Sequence, residues 1–217
     1  MNAEKVQQRS EEWFRAKYGK VGGSSVKDMM ASKSTKGFKK IYFGAISAKL
    51  EDFEMPEEKY MGSDVERGNE LERPAFEFLQ LYLNQKLEEW GWIQSDIDIL
   101  GISPDGMSHD KKVAVEIKCP SRHVHTQYLT ENRIPSEYHW QCMNYFAVIP
   151  ELEVLHFASY RPECEIPVFV KTVRRNEIIK FQANKTAQEW SDQIREVATD
   201  VSQSIKSAIE TIKQEAL

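Results

Sequence analysis

A short apolar run behind a turn, Val113-Ala114-Val115-Glu116-Ile117-Lys118, constrains this chain more than any other segment. The run reads as a strand paired behind the turn Met107–Lys112. Residues two apart on a strand face the same side, so Glu116 and Lys118 point together into one place. Ile117 faces the core between them, and its backbone carbonyl remains able to reach a bound ion. Alone, a Glu-x-Lys pair reads as the solvated polar face of a surface hairpin. Ser103-Pro104-Asp105-Gly106 lies just ahead of it, and that turn changes the reading. Two carboxylates, Asp105 and Glu116, then converge, as a hard cation held by oxygen ligands requires. Lysine suits the same place because its pKa responds to its surroundings, so it can position or help deprotonate an attacking water.

The rest of the chain sets this strand in one mixed α/β domain spanning 1–217. With 217 residues, folding buries about two-thirds or more of the unfolded surface. A content of 41% hydrophobic and 29% charged residues is that of an ordinary globular chain. A helix is predicted at Ser10–Lys17, capped by Ser10, and the turn Gly22-Gly23-Ser24-Ser25 feeds a short one through Met30. Another is predicted at Lys40–Leu50. Across Ser63–Gln85, Val65, Leu71, Ala75, Phe78, Leu79 and Tyr82 form an apolar stripe, with Pro74 a kink or restart within it. Strands are predicted at Trp90–Ile93, Ile97–Ile102, Leu152–Tyr160 and Val168–Val173, and helices at His125–Asn132 and Ser136–Val148. Asn176–Glu215 reads as one long helical region that buries Ile178, Phe181, Trp190, Ile194, Val197, Val201, Ile205, Ile209 and Ile212 along one stripe.

Charge is unevenly spread. The net charge of −5 argues against tight nonspecific coating of DNA, yet Arg9 to Lys40 carries nine Lys/Arg against three Asp/Glu. Glu51 to Glu72 carries nine acids against two bases. A basic N-terminal face suits phosphate contacts, although Ser32–Lys40 reads equally as a solvated Lys-rich loop. A protein that holds DNA by enclosing it needs no basic exterior. Met1-Asn2-Ala3-Glu4-Lys5 is polar and no apolar run is long enough to span a bilayer, so a soluble, cytosolic protein without membrane contact is expected. The three cysteines, Cys119, Cys142 and Cys164, are odd in number and widely spaced, which argues against a disulfide framework. Cys119, His123, His125, His139 and Cys142 lack the paired spacing of zinc ligands, and three cysteines are too few for a four-cysteine iron–sulfur cluster. Neither a nucleophile elbow nor a phosphate-cradling Gly-x-x-x-x-Gly-Lys-Ser/Thr loop is present, so ATP dependence is not expected.

The Asp, Glu-x-Lys pattern resembles metal-dependent nucleases of the PD-(D/E)xK type. Matching stretches carry the likeness in order from residue 13 to about 160. Trp13 with Lys17-Tyr18-Gly19 and then Gly23-Ser24-Ser25-Val26 resembles the N-terminal motif of the phage lambda-type exonuclease family. Arg67-Gly68-Asn69-Glu70-Leu71-Glu72 is similar to its Gly-x-x-x-Glu helix. Ser103-Pro104-Asp105-Gly106 and Glu116-Ile117-Lys118-Cys119-Pro120 match its core motifs, and Tyr138-His139-Trp140-Gln141 followed by Tyr145 resembles its Tyr-x-x-Gln helix.

The resemblance implies a restriction-endonuclease-like core, a central mixed sheet flanked by helices, here with a long C-terminal helix. It implies a Mg2+-dependent 5′→3′ exonuclease on double-stranded DNA ends, with Mn2+ able to substitute, in the cytoplasm of a bacterial host. Such enzymes release mononucleotides and leave a 3′ single-stranded tail for an annealing protein in phage-type recombination. They are ring-shaped homotrimers around a DNA channel. Carried over, Asp105, Glu116 and the Ile117 carbonyl hold metal, Lys118 orients the water, and Glu72 and Gln141 complete the catalytic centre. Ser24 and Ser103 line a 5′-phosphate pocket. The family's phosphate-binding arginine falls on Lys17, which lacks the bidentate fork of a guanidinium, so Arg15 is a second candidate.

Each of these residues has a plainer reading. Glu72 suits the solvated face of an acidic helix, and its functional reading leans on Gly68, one turn earlier, permitting close backbone approach. Gln141 beside Trp140 suits a buried, satisfied amide, and Ser24 suits a helix N-cap, a place that also favours anions. An endonuclease on the same fold and a catalytically inactive DNA-binding module are the alternatives. The lack of an appended recognition domain and the match outside the core motifs disfavour the first, and intact Asp105, Glu116 and Lys118 disfavour the second.

Overall fold

In the computed structural model, which describes residues 5–56 and 63–216, the Glu-x-Lys run is an inner strand of a four-stranded mixed sheet. The chain begins with α1 (Glu11–Ala16), a 3-10 turn at Gly23–Ser25, α2 (Val26–Met29), α3 (Lys36–Leu50) and α4 (Ser63–Leu83). Then come β1 (Ile93–Gln94), β2 (Gly101–Ile102), β3 (Gly106–Met107), β4 (Val113–Lys118), α5 (Arg122–Glu131), a 3-10 turn at Ser136–Tyr138 and α6 (His139–Val148). The chain closes with β5 (Val154–Tyr160), β6 (Val168–Arg174), β7 (Ile178–Lys180), β8 (Asn184–Thr186) and α7 (Ala187–Glu215).

The sheet order is β3-β4-β5-β6. β3 hairpins onto β4, β6 is antiparallel to β5, and β4 and β5 run parallel. A parallel pair needs a crossover, here α5 and α6. Alternation sorts the side chains between two layers. Ala114, Leu155, Phe157, Phe169 and Val173 join the larger core with α6 and α7. Val115, Ile117, Ala158, Tyr160 and Val168 meet Ala75, Phe76 and Leu79 of α4 on the other face. The mixed sheet flanked by helices and the long C-terminal helix are therefore as expected. Glu116, at 1% exposure, is no solvated hairpin residue.

Several boundaries differ from expectation. The strands predicted at Trp90–Ile93 and Ile97–Ile102 shrink to Ile93–Gln94 and Gly101–Ile102. Between them the Gln94 amide donates to the carbonyls of Ile97, Asp98 and Leu100, so a side chain satisfies groups that a ladder would have paired. α3 starts a turn before the predicted Lys40 because Thr35 caps it, its hydroxyl accepting from Phe38 N. Pro74 sits inside α4 without ending it. The side chain of Val65, part of the Glu51–Glu72 acidic stretch, and residues Met1–Glu4 fall outside the described residues.

The predicted helical region Asn176–Glu215 instead opens with a β-hairpin, and α7 starts at Ala187. A capping box fixes that start: the Thr186 hydroxyl accepts from Glu189 N, and Glu189 Oε2 accepts from Thr186 N. Ile178, expected in the buried stripe, is exposed on β7, and Ile212 is exposed near the end of α7. Trp190, Ile194, Val201 and Ile205 are buried as expected.

The hairpin covers His139. Its ring stacks on Phe181 with centroids 3.8 Å apart and meets Trp190 edge-on at 4.8 Å, and it is 4% exposed. Burial pushes its pKa down to about 4. Between about 4 and the ordinary 6.5, the unfolded chain binds a proton that the folded chain refuses, so stability falls as pH drops through that window. We expect His139 to remove about 2 kcal/mol of stability between pH 7 and pH 5. Urea melts at the two pH values should show a smaller difference in His139→Phe than in the parent. An equal difference would place the ring's titration outside folding.

Candidate active site

The site forms where the Ser103–Gly106 turn, α4 and α6 meet the carboxyl half of β4. Gly106 makes the meeting possible, since a Cβ there would stand 2.7 Å from the Phe76 ring of α4 and 3.0 Å from Val115. Phe76 packed on this turn brings Glu72, one helical turn earlier, beside Asp105. Asp105 Oδ2 accepts the Ile117 N–H at 2.6 Å, which locks the turn to the strand between Glu116 and Lys118. The part-buried Asp105 carboxyl is pushed up to about 8, first by burial and then by the Glu116 carboxylate, with Lys118 and the Ile117 N–H opposing.

Glu116 is held from three directions. Gln141 Nε2 donates to Oε1 at 2.6 Å, the Tyr145 hydroxyl donates to Oε2 at 2.8 Å, and Lys118 Nζ pairs with Oε1. Gln141 and Tyr145 are one turn apart on α6, so a single helix face presents both. Tyr145 is a site residue that motif reading quoted without a role, although its i+4 spacing from Gln141 was visible. Burial alone would lower the Lys118 ammonium. The Glu116 and Asp105 carboxylates more than offset it and hold Lys118 well above its usual value. The Tyr138 ring lies beneath its Nζ at 5.0 Å.

Asp105 lines a cleft of about 630 Å3 together with Asn69, Glu72 and Arg73 of α4 and residues 5–10. Gln8 ties this N-terminal segment down, its amide donating to the carbonyls of Trp90 at 2.9 Å and Pro104 at 2.8 Å. Arg9, with φ of 69°, aims its guanidinium at Glu72 Oε2, 2.6 Å away. Glu72 therefore lies at the cleft with a cationic partner that sequence reasoning missed. Gly68 makes no close approach, since a Cβ there would meet nothing within 4 Å, so the packing argument for Glu72 belongs to Gly106. Beyond Lys118, burial and then the Asp105 carboxylate push the Cys119 thiol up to about 11, Glu72 adding to this and Arg67 and Lys118 opposing.

A second group gathers on α1. Trp13 Nε1 donates to Ser103 Oγ at 2.7 Å, and Lys17 Nζ lies 3.7 Å above the Trp13 ring, its pKa lowered by burial. Ser103, Trp13 and Lys17 thus stand in series beside Asp105. Gly23, with φ of +52°, lets the following turn pass Gln141, whose Nε2 would lie 3.8 Å from a Cβ there, so Ser24 is exposed next to the site. Ser24 is not a cap. It lies inside the Gly23–Ser25 turn, whose N-cap is Gly22, and the Ser25 hydroxyl reaches back to accept from Gly22 N. Arg15 points elsewhere, paired with Glu11 at 2.7 Å and stacked over Phe53 at 4.5 Å.

Asp105 and Glu116 offer hard oxygen donors, and no cluster of three or more His, Cys, Asp or Glu among the described residues cages an ion. That set fits Mg2+, which binds through one or two carboxylates and keeps water and phosphate oxygens in its other positions. His125 is committed to Ser159 Oγ at 2.7 Å and the Ile166 carbonyl at 2.9 Å. No helix among the described residues is long and apolar enough to cross a membrane.

A family model of the YqaJ-like viral recombinase domain matches residues 12–150. The fold is similar to an alkaline exonuclease, LHK-Exo, from Laribacter hongkongensis, with TM-score 0.78 and 23% identity over 95% of this chain and 98% of that one. The same enzyme in complex with dAMP matches equally, with TM-score 0.78 and 23% identity. A phage-related exonuclease from Haemophilus somnus matches with TM-score 0.62 and 13% identity, covering 89% of this chain and 96% of that one. No curated protein sequence matches.

Proposed function

Because the chain belongs to the YqaJ-like viral recombinase domain family, we propose that it is a Mg2+-dependent exonuclease acting 5′→3′ on double-stranded DNA ends. The observation that carries this reading is the convergence of Asp105, Glu116, Lys118 and Gln141 on one half of β4. Mononucleotides are the product, in keeping with the dAMP held by the fold relative. A 3′ single-stranded tail remains for an annealing protein, and a homotrimeric ring around the DNA reconciles the net charge of −5 with a DNA substrate. Mn2+ substitutes for Mg2+.

Asp105, Glu116 and the Ile117 carbonyl would hold the ion, which would supply Lewis-acid polarisation of the phosphodiester. Gln141 and Tyr145 fix the Glu116 carboxylate so that its lone pairs do not rotate away from the site. Lys118, cationic across the working pH range, donates N–H to orient the attacking water and offsets charge on the phosphoryl oxygens. Glu72 lines the same cleft as Asp105, and Arg9 sets its orientation. Ser24, Ser103 and Lys17 bind the terminal 5′-phosphate, Trp13 fixing Ser103 and Lys17 at once.

Three matched substrates test this: a 5′-phosphorylated linear duplex, its 5′-hydroxyl counterpart and a covalently closed circle. Acid-soluble nucleotides should come from linear DNA alone, faster from the phosphorylated end. Lys17→Ala should shrink that preference by roughly tenfold, the scale of one charge-assisted hydrogen bond. Lys17→Arg should keep or strengthen it, because a guanidinium fork holds two phosphate oxygens. Nicked circles would identify an endonuclease, and no products from any substrate an inactive binding module. Equal rates on both linear ends would remove the phosphate pocket.

A further inference from the structure

Arg67 of α4 and Arg161, directly after β5, converge on one carboxylate at the rim of the site. Lys118 pairs in register with Ser159, so Arg161 lies at the same carboxyl end of the parallel strands. Its Nη1 reaches the Pro120 carbonyl, two residues past Lys118, at 3.4 Å. Arg67 acts on the Cys119 thiol together with Asp105, Glu72 and Lys118. Both guanidiniums are therefore neighbours of the catalytic strand's end.

Their counter-ion is too small for them. Arg67 grips Glu163 with two nitrogens, at 2.9 Å and 3.4 Å, while Arg161 Nη2 stands 3.7 Å from the same oxygen that Arg67 Nη2 holds. Two guanidiniums facing one carboxylate leave a positive charge over. Arg67 Nε is buried and has no hydrogen-bond partner among the described residues. The arginines are largely covered, at 24% and 16% side-chain exposure, whereas Glu163 is 54% exposed. The cations are built in and the anion is the loose member.

We propose that Arg67 and Arg161 bind a phosphodiester of the DNA strand passing the catalytic cleft, and that Glu163 stands in for that phosphate when DNA is absent. The guanidinium fork holds two oxygens of a carboxylate or of a phosphate in the same geometry. Glu163 is already 54% exposed, so exchanging it for a phosphate frees the carboxylate to water and leaves both cations satisfied. This site rests on the exonuclease reading, because it takes DNA as the ligand.

The test is the affinity of the full chain for a short 5′-phosphorylated duplex in Ca2+, across a salt series, with melting temperature recorded for each variant. R67Q and R161Q should each weaken binding, and the double variant should weaken it further and reduce the slope of log K against log salt by about 0.7–0.9, the value of the one phosphate contact that both arginines share. E163Q should tighten binding, because no internal anion competes. Wild-type affinity in R67Q and R161Q, a wild-type slope in the double variant, or unchanged or weaker binding by E163Q would overturn the site and leave the trio as a tether between α4 and β5. Failure of the unmutated chain to bind the duplex at any salt would instead bring down the exonuclease reading, and this site with it.

Discussion

Asp105→Asn should yield a folded protein that no longer degrades DNA. The loss in rate should reach at least the roughly 10²–10³-fold that removal of one charge-stabilising group costs, and more if the ion is lost outright. The asparagine keeps an oxygen to accept the Ile117 N–H, so the turn remains pinned to β4. Stability should hold or rise, because burial and the adjacent Glu116 both disfavour the native carboxylate. The pairing of lost activity with retained melting temperature separates a ligand from a packing residue. Chelation should reproduce the loss in the unmutated protein. Ca2+ should permit DNA binding with little turnover, its looser coordination positioning water poorly. Robust digestion by the Asp105→Asn protein would sink the assignment of Asp105 to the ion.

How much of this was readable beforehand depends on range. The Glu-x-Lys strand and its turn are local, and alternation alone put Glu116 and Lys118 on one side and Ile117 on the other. Gln141 was legible as a motif, and its bond to Glu116 follows from the crossover that stacks α6 on β4. What sequence could not supply were contacts between segments far apart in the chain. Arg9 meeting Glu72 and Arg161 meeting Arg67 across Glu163 depend on where α4 lies over the sheet. Gly106 encodes part of that placement, yet nothing local says that Phe76 is the ring it admits. The β7–β8 hairpin was missed for a different reason. Ile178 and Phe181 fit a helical stripe by spacing, and the start signal Thr186-x-x-Glu189 lay in view behind them. A local cap outweighed a periodicity extended too far.

Lys118→Ala should lower kcat by about 10²–10⁴-fold, the contribution typical of a water-positioning or proton-transfer group, while DNA binding persists. The geometry adds a sharper expectation. Glu116 has a side chain 2% exposed, and Lys118 supplies its cation. Removing that cation leaves a buried, uncompensated carboxylate beside Asp105, which should destabilise the ion-free protein by roughly 3 kcal/mol. Gln141 and Tyr145 still donate to Glu116, so the fold should survive and the carboxylate should stay in place. A site stripped of its own cation attracts an external one more strongly, so Mg2+ should raise the melting temperature of Lys118→Ala more than that of the parent. Calorimetric Mg2+ affinity should be equal or tighter. Slow turnover with intact or improved ion binding marks Lys118 as a group that acts on the water and the phosphoryl oxygens. If the slow turnover were instead rescued by raising Mg2+, Lys118 would be a scaffold for the ion, and the water would need another orienting group.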